Sequence, residues 1–145
     1  MQTREILRIK GDALFTVAPD APLAEALAAM VAQDAGSLVV MERGCLCGML
    51  TFRELLRAIT DRGPDALTIP VEAVMVRDAL QVGPEVEMDE LQRLMLESRA
   101  RYVPVMDGST LVGVLSFRDV ARALVEEQSF ENQMLKGYIR NWPEE

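Results

Sequence analysis

The chain has 145 residues, with 15 Lys and Arg against 23 Asp and Glu for a formal charge of −8, two cysteines and no histidine. Without His there is no Ser-His or Cys-His nucleophile pair, no imidazole general base and no His-containing zinc site. The acidic balance opposes nonspecific nucleic-acid binding, which needs a basic surface to neutralise phosphates, so any anionic ligand must be met by a local cluster of basic side chains. No stretch reaches the ~20 apolar residues that span a bilayer. The opening MQTREILRIK mixes charge through a short apolar pattern and lacks a signal-peptide core. A cytoplasmic protein without membrane or nucleic-acid partners is expected.

Taken in order, the chain repeats itself. Shifted by 65 residues, 15–60 lies on 80–125 without a gap, and fourteen pairs are identical, among them Pro19/Pro84, Met30/Met95, Gly48/Gly113, Phe52/Phe117, Arg53/Arg118 and Arg57/Arg122. A generic repeated unit would reproduce apolar periodicity but not also glycine, arginine and hydroxyl positions. Each copy begins with a short extended piece, 14–17 or 80–82, followed by a Pro-acidic turn that starts a helix. Leu23, Ala26, Leu27, Met30 and Val31 fall on one helical face, as do Met88, Leu91, Leu94 and Met95. Two apolar runs joined by a short Gly-containing gap then read as a hairpin: 37–41 with 46–51, and 102–106 with 110–116. A helix follows at once, at 52–60 and at 117–127.

The predicted fold class is α/β (α+β): two β-α-β-β-α repeats, their sheets packed with pseudo-twofold symmetry into a disc, plus a C-terminal helix. The divisions are repeat 1 at 9–62, a connector at 63–78, repeat 2 at 79–127 and an amphipathic tail at 128–145. Within the connector, 71–75 looks helical. The tail stripe Phe130, Met134, Leu135, Tyr138 and Ile139 must cover itself against the body or a partner. Cys45 and Cys47 alternate along a strand, with Cα atoms about 6.5–7 Å apart, the outer limit for a disulfide. Their counterparts Thr110 and Val112 favour ordinary strand packing. The nine methionines serve as core filler.

The blocks GMLTFRE at 48–54 and GVLSFRD at 113–119, with RYVPV at 101–105 and GSLVV at 36–40, resemble the CBS domain family. Its hallmark is a strand ending in Gly-apolar-apolar-Thr/Ser-x-x-Asp. Residues 71–75 resemble the segment that introduces a second copy, and the tail is similar to that of stand-alone bacterial two-CBS proteins. The resemblance implies a tandem pair, or Bateman module, that is not an enzyme and has no catalytic residues or metal. It implies regulation by an adenosine-containing ligand (AMP, ADP, ATP, NAD or S-adenosylmethionine) bound in clefts between the repeats.

The motif has physics of its own. Ser116 ends a strand and can cap the following helix together with Asp119, a capping-box spacing. That same helix start offers N–H groups to phosphate, and a carboxylate one turn on can accept from both ribose hydroxyls. Repeat 2 carries the fuller set: Ser116, Arg118 and Asp119, with Arg101 entering the facing strand, and Val103, Pro104 and Leu80 placed to sandwich an adenine. Repeat 1 keeps Thr51 and Arg53, with Lys10 expected as an added cation. It departs at Glu54, where the family has Asp, and at Val76, where many relatives have Thr. Two functions stay open: a noncatalytic nucleotide-binding sensor that acts as a homodimer on a regulated partner protein, or a dimerisation and interaction module with vestigial sites.

Overall fold

The computed structural model describes residues 1–11 and 14–140, the last three as backbone only. Helix α1 (Thr3–Lys10) precedes the first repeat, which consists of β1 (Thr16–Val17), α2 (Leu23–Gln33), β2 (Ser37–Glu42), β3 (Cys45–Thr51) and α3 (Phe52–Arg62). Two 3₁₀ turns, Gly63–Thr68 and Val71–Ala73, lead to the second repeat: α4 (Met88–Ser98), β4 (Tyr102–Asp107), β5 (Thr110–Ser116) and α5 (Phe117–Arg140).

The 65-residue repeat holds in three dimensions down to the register. β2 and β3 pair antiparallel from Ser37 opposite Thr51 to Glu42 opposite Cys45, with an irregularity between Val40 and Met41. β4 and β5 repeat this from Tyr102 opposite Ser116 to Asp107 opposite Thr110, with the same irregularity between Val105 and Met106. β1 lies parallel to β2; its counterpart is reduced to one parallel bridge between Val82 and Val105. The segments 48–54 and 113–119 therefore occupy equivalent places.

Each sheet is buried on both faces, which explains why the strands read as continuous apolar runs rather than alternating ones. In the first repeat Leu38, Val40 and Leu50 pack against Leu23, Ala26 and Met30 of α2 and Leu55 and Ala58 of α3. In the second, Val103, Val105 and Leu115 meet Leu91, Met95, Val120 and Ala123. On the opposite faces Val39, Met49 and Val114 form a third cluster that joins sheet to sheet. The layers run helices, sheet, sheet, helices.

The segments leading into the two repeats are exchanged. Residues 69–76 precede repeat 2 but seal repeat 1: Val71 is fully buried in the first core, its N–H donates to Ala21 O at 2.8 Å, and Glu72 N–H donates to Pro19 O at 2.9 Å. The first ten residues, to which the sequence assigns no element, form α1 and seal repeat 2. Thr3 N–H donates to Val86 O at 2.8 Å and Arg4 N–H to Pro84 O at 2.9 Å. These acceptors are the repeat partners of Ala21 and Pro19. Thr3 is buried without penalty because its hydroxyl also donates to Val86 O, at 2.7 Å, and Ile6 lies in the second core. Both motif glycines serve this exchange. A Cβ on Gly48 would sit 2.5 Å from Val76 O, and one on Gly113 would sit 2.7 Å from a Leu7 methyl.

The expected boundary between helix and tail at 127/128 is absent. α5 runs unbroken for 24 residues, because nothing between Phe117 and Lys136 interrupts a helix and the single Gly137 costs only ~1 kcal/mol relative to Ala. The body does not cover its second half: residues 128–136 are all exposed, with Phe130 and Met134 each at 63%. The side chains of Tyr138 and Ile139 lie outside what is described. Cys45 and Cys47 are free thiols.

Ile6→Ala should destabilise the chain by about 2–5 kcal/mol, as for other buried Ile truncations. In hydrogen exchange the lost protection should centre on β4, β5 and α4 rather than on the repeat that Ile6 precedes in sequence.

Candidate functional site

Two clefts open where the repeats meet. Cleft A, about 580 Å³, is lined by Thr51, Phe52, Arg53 and Glu54, by Val76 and Asp78–Leu80, and by the segment 98–102. Cleft B, about 790 Å³, is lined by Ser116, Phe117, Arg118 and Asp119, by Lys10, Leu14 and Phe15, by 33–37 and again by 99–102. Both sites are thus built from both repeats: the strand-to-helix corner of one faces the extended entry and helix end of the other.

The corners are set by capping. In cleft B the Ser116 N–H donates to Asp119 Oδ2 at 2.7 Å, and the Asp119 N–H donates to Ser116 Oγ at 3.1 Å, so hydroxyl and carboxylate each satisfy a helix-start donor. In cleft A the longer Glu54 curls back to cap in the same way, its Oε1 accepting from the Thr51 N–H and from the Thr51 hydroxyl, both at 2.9 Å. The Arg53 N–H donates to Thr51 Oγ1 at 3.3 Å. Capping is therefore a real role for both motifs.

The two carboxylates differ in what else they touch. Lys10 Nζ lies 3.1 Å from Asp119 Oδ2 and also donates to Val114 O. Burial works against the charge of Asp119, but the Ser116 N–H, the Lys10 ammonium and the Ser116 hydroxyl outweigh it and hold the carboxyl below the usual aspartate value. Among the described residues no cation pairs with Glu54.

Several expected positions move. Lys10, assigned from its place in the chain to the first site, reaches the second because α1 packs on repeat 2. Leu80, expected beside Asp119, lines cleft A instead; the residues at the equivalent place in cleft B are Leu14 and Phe15. Val103 and Pro104 are buried within β4 and line neither cleft, since sheet and helices cover both faces of that strand. Thr51, Arg53 and Glu54 come together in cleft A, and Ser116, Arg118 and Asp119 in cleft B, while Arg101 lines both.

Arg99 joins the site without any mark in the sequence. It ends α4 in the left-handed conformation, at φ 57°, and lines both clefts beside Arg101. Its repeat partner Asp34 ends α2 in the same way, at φ 50°. No residue pattern signals such a helix end. Lys10, Arg53, Arg99, Arg101 and Arg118 thus place a third of the chain's 15 basic residues on two clefts whose described lining holds four acidic residues, Asp34, Glu54, Asp78 and Asp119. Among the described residues none of these four arginines is held in an ion pair.

This architecture, two copies of one unit with corner motifs facing a shared seam, matches the CBS domain family model at residues 6–61 and 71–126. The chain belongs to the CBS-domain family. The tandem pair is 33% identical over 106 residues to the CBS domain-containing protein YhcV of Bacillus subtilis, covering 73% of this chain and 75% of that one. A crystal structure of a CBS-domain-containing protein from Agrobacterium tumefaciens superposes with a TM-score of 0.81 at 30% identity, over 85% of this chain and 98% of that one. A CBS domain pair solved in complex with 5′-methylthioadenosine and S-adenosyl-L-methionine shares the fold at 19% identity, with a TM-score of 0.77 over 88% and 98% of the two chains. The first match begins at Ile6, inside α1, and the second at Val71; these are the two exchanged segments. Among the described residues no helix is long and apolar enough to cross a membrane.

Lys10→Met should raise the pKa of Asp119 toward its ordinary 3.8, which a carboxyl-resolved NMR titration would read. Because the folded value is depressed, the stabilisation from Asp119 is fully present above about pH 3.8 and is lost as pH falls through the folded value below it. Wild type and Lys10→Met should therefore differ most in stability above that pH and converge in acid.

Proposed function

We propose that this CBS pair is a noncatalytic regulatory sensor that binds a phosphate-bearing adenosine ligand, AMP, ADP, ATP or NAD, in the clefts between its repeats. The observation that carries this reading is a set of arginines with no ion pair among the described residues, Arg53 and Arg118 at the two helix-start corners and Arg99 and Arg101 on the wall between them, in an acidic protein. Such a surface suits phosphate through paired N–H donors and gives no advantage to S-adenosylmethionine, whose sulfonium is itself a cation. The solved relative with two adenosine-containing molecules supports the base and ribose part of the assignment. In cleft B, Asp119 accepts from the ribose diol, Leu14, Phe15 and Tyr102 form the apolar walls, and Arg118 with Arg99 and Arg101 meets phosphate. Lys10 orients Asp119.

We further propose that the protein works as a homodimer that passes ligand occupancy to a regulated partner protein. Nine consecutive exposed residues on α5, with Phe130, Met134 and Leu135 among them, support this. A helix of that length is marginal in water unless its apolar face is covered.

Titration of ligand-stripped protein with AMP, ATP, NAD and S-adenosylmethionine, followed by melting temperature, should show shifts for the phosphate-bearing compounds. Asp119→Ala removes a charged acceptor, whose hydrogen bonds contribute about 1.5–3 kcal/mol, so affinity should fall roughly tenfold or more. A 2′-deoxy nucleotide should be weakened in wild type; equal binding of ribo and deoxy forms would remove the ribose role and favour the interaction-module reading. Glu54→Asp should strengthen cleft A.

In sedimentation velocity the wild type should run as a dimer at micromolar concentration. Phe130→Ser with Met134→Ser should dissociate it while leaving the fold of the pair intact, since neither side chain packs against the body. A wild-type monomer would refute the dimer.

A further inference from the structure

The wall 99–102 is common to both clefts, and the corresponding wall of the first repeat, 34–37, lines cleft B alone. The two sites therefore draw on one pair of arginines. Among the described residues, without that pair, cleft B holds Lys10 and Arg118 against Asp34 and Asp119, and cleft A holds Arg53 against Glu54 and Asp78. Neither cleft then carries a positive surplus of its own. With Arg99 and Arg101 added, either cleft does, but the same two guanidinium groups cannot be spent on both.

The residue types at this wall give the sharing its physical form. Arg99 projects from a left-handed helix end and Arg101 from the residue before β4; both side chains are exposed, so each is free to swing toward either site. A guanidinium engages one phosphate in a planar two-donor fork and cannot offer that fork to two at once. Tyr102, the next residue, packs over Gly36: its hydroxyl lies 1.9 Å from where a Cβ there would stand. The wall's base is therefore in contact with the first repeat while its two cations are exposed.

We propose that Arg99 and Arg101 form a shared anion wall that couples the two clefts negatively, so that a phosphate-bearing ligand in one lowers the affinity of the other. The coupling rests on the reading of the clefts as nucleotide sites and adds how they speak to each other. Cleft B fills first, because Lys10 and Arg118 give it two cations of its own against the single Arg53 of cleft A. Filling it draws the shared pair away and leaves cleft A with an acidic surplus. The pair then responds over two concentration ranges of a single ligand rather than one.

Calorimetric titration of the full chain with AMP, and in parallel with ATP, tests this. Wild type should bind in two steps, the second about tenfold weaker than the affinity cleft A shows when cleft B is closed, a ratio within the usual range for coupled sites. Cleft B is closed by Leu14→Trp, which fills it without changing charge, and is separately weakened by Asp119→Ala, which should shift the same balance in part. Arg99→Gly, which suits the left-handed backbone, and Arg101→Gln should each weaken the first step, and should weaken cleft A when cleft B is closed, while leaving the second step of the otherwise wild-type chain nearly unchanged. Arg118→Gln should weaken only the first, and Arg53→Gln only the second. Two independent steps in wild type, or no Arg99→Gly effect on cleft A when cleft B is closed, would overturn the coupling while leaving nucleotide binding intact. Failure of both AMP and ATP to bind would overturn the nucleotide reading and the coupling with it.

Discussion

Exchange of the lead-in segments holds the two repeats together. Each repeat on its own is a hairpin with helices against one face, roughly 50 residues in length, and units of that size have too little core to be comfortably stable alone. The exchange makes the two inseparable. Val71 completes the first core although it belongs to the chain entering the second, and Ile6 completes the second core although it enters the first. The backbone bonds from Thr3 and Arg4 to Val86 and Pro84 mirror those from Val71 and Glu72 to Ala21 and Pro19. One repeat therefore cannot open without exposing a helix or turn of the other.

The same exchange creates the chemical difference between the clefts. Where the lead-in of repeat 2 brings Asp78 to cleft A, α1 brings Lys10 to cleft B. That ammonium meets Asp119 and keeps it ionised. Glu54, with one more methylene and no such cation, turns inward onto Thr51 and devotes an oxygen to the helix cap. Pseudosymmetry of the backbone thus coexists with asymmetry of charge, and the first follows from repeated apolar and glycine positions while the second follows from a few unrepeated ones. Near-identical halves are enough to build two clefts of similar shape; only the unrepeated side chains make them differ in what they hold.

Burial on both faces of each sheet accounts for the errors in placing the adenine walls. Val103 and Pro104 read as cleft residues because a motif strand so often ends at a ligand. Yet the strand centre is enclosed between helices and the partner sheet, and on the side of the clefts its open part is the entry, 99–102. A strand in this fold can present side chains to a ligand only where it leaves the layers. Each cleft correspondingly takes its polar corner from one repeat and its apolar entry from the other, so Leu80 serves Glu54 while Leu14 and Phe15 serve Asp119.

Local sequence is enough to specify the repeated unit, the pairing of its strands, the family and the two corner motifs. All of these are written in short-range spacing: helical and strand periodicity, a hydroxyl three residues before a carboxylate, and glycines and arginines that recur 65 residues apart. The charge balance also shows that an acidic chain needs local cations for an anionic ligand. Packing in three dimensions settles the rest: which cation serves which carboxylate, that α1 exists and belongs to repeat 2, that α5 continues unbroken, and that Arg99 faces both clefts. These depend on contacts between residues up to about a hundred positions apart, such as Lys10 with Asp119. Such contacts are set by the shape of the packed layers, and no local pattern encodes them.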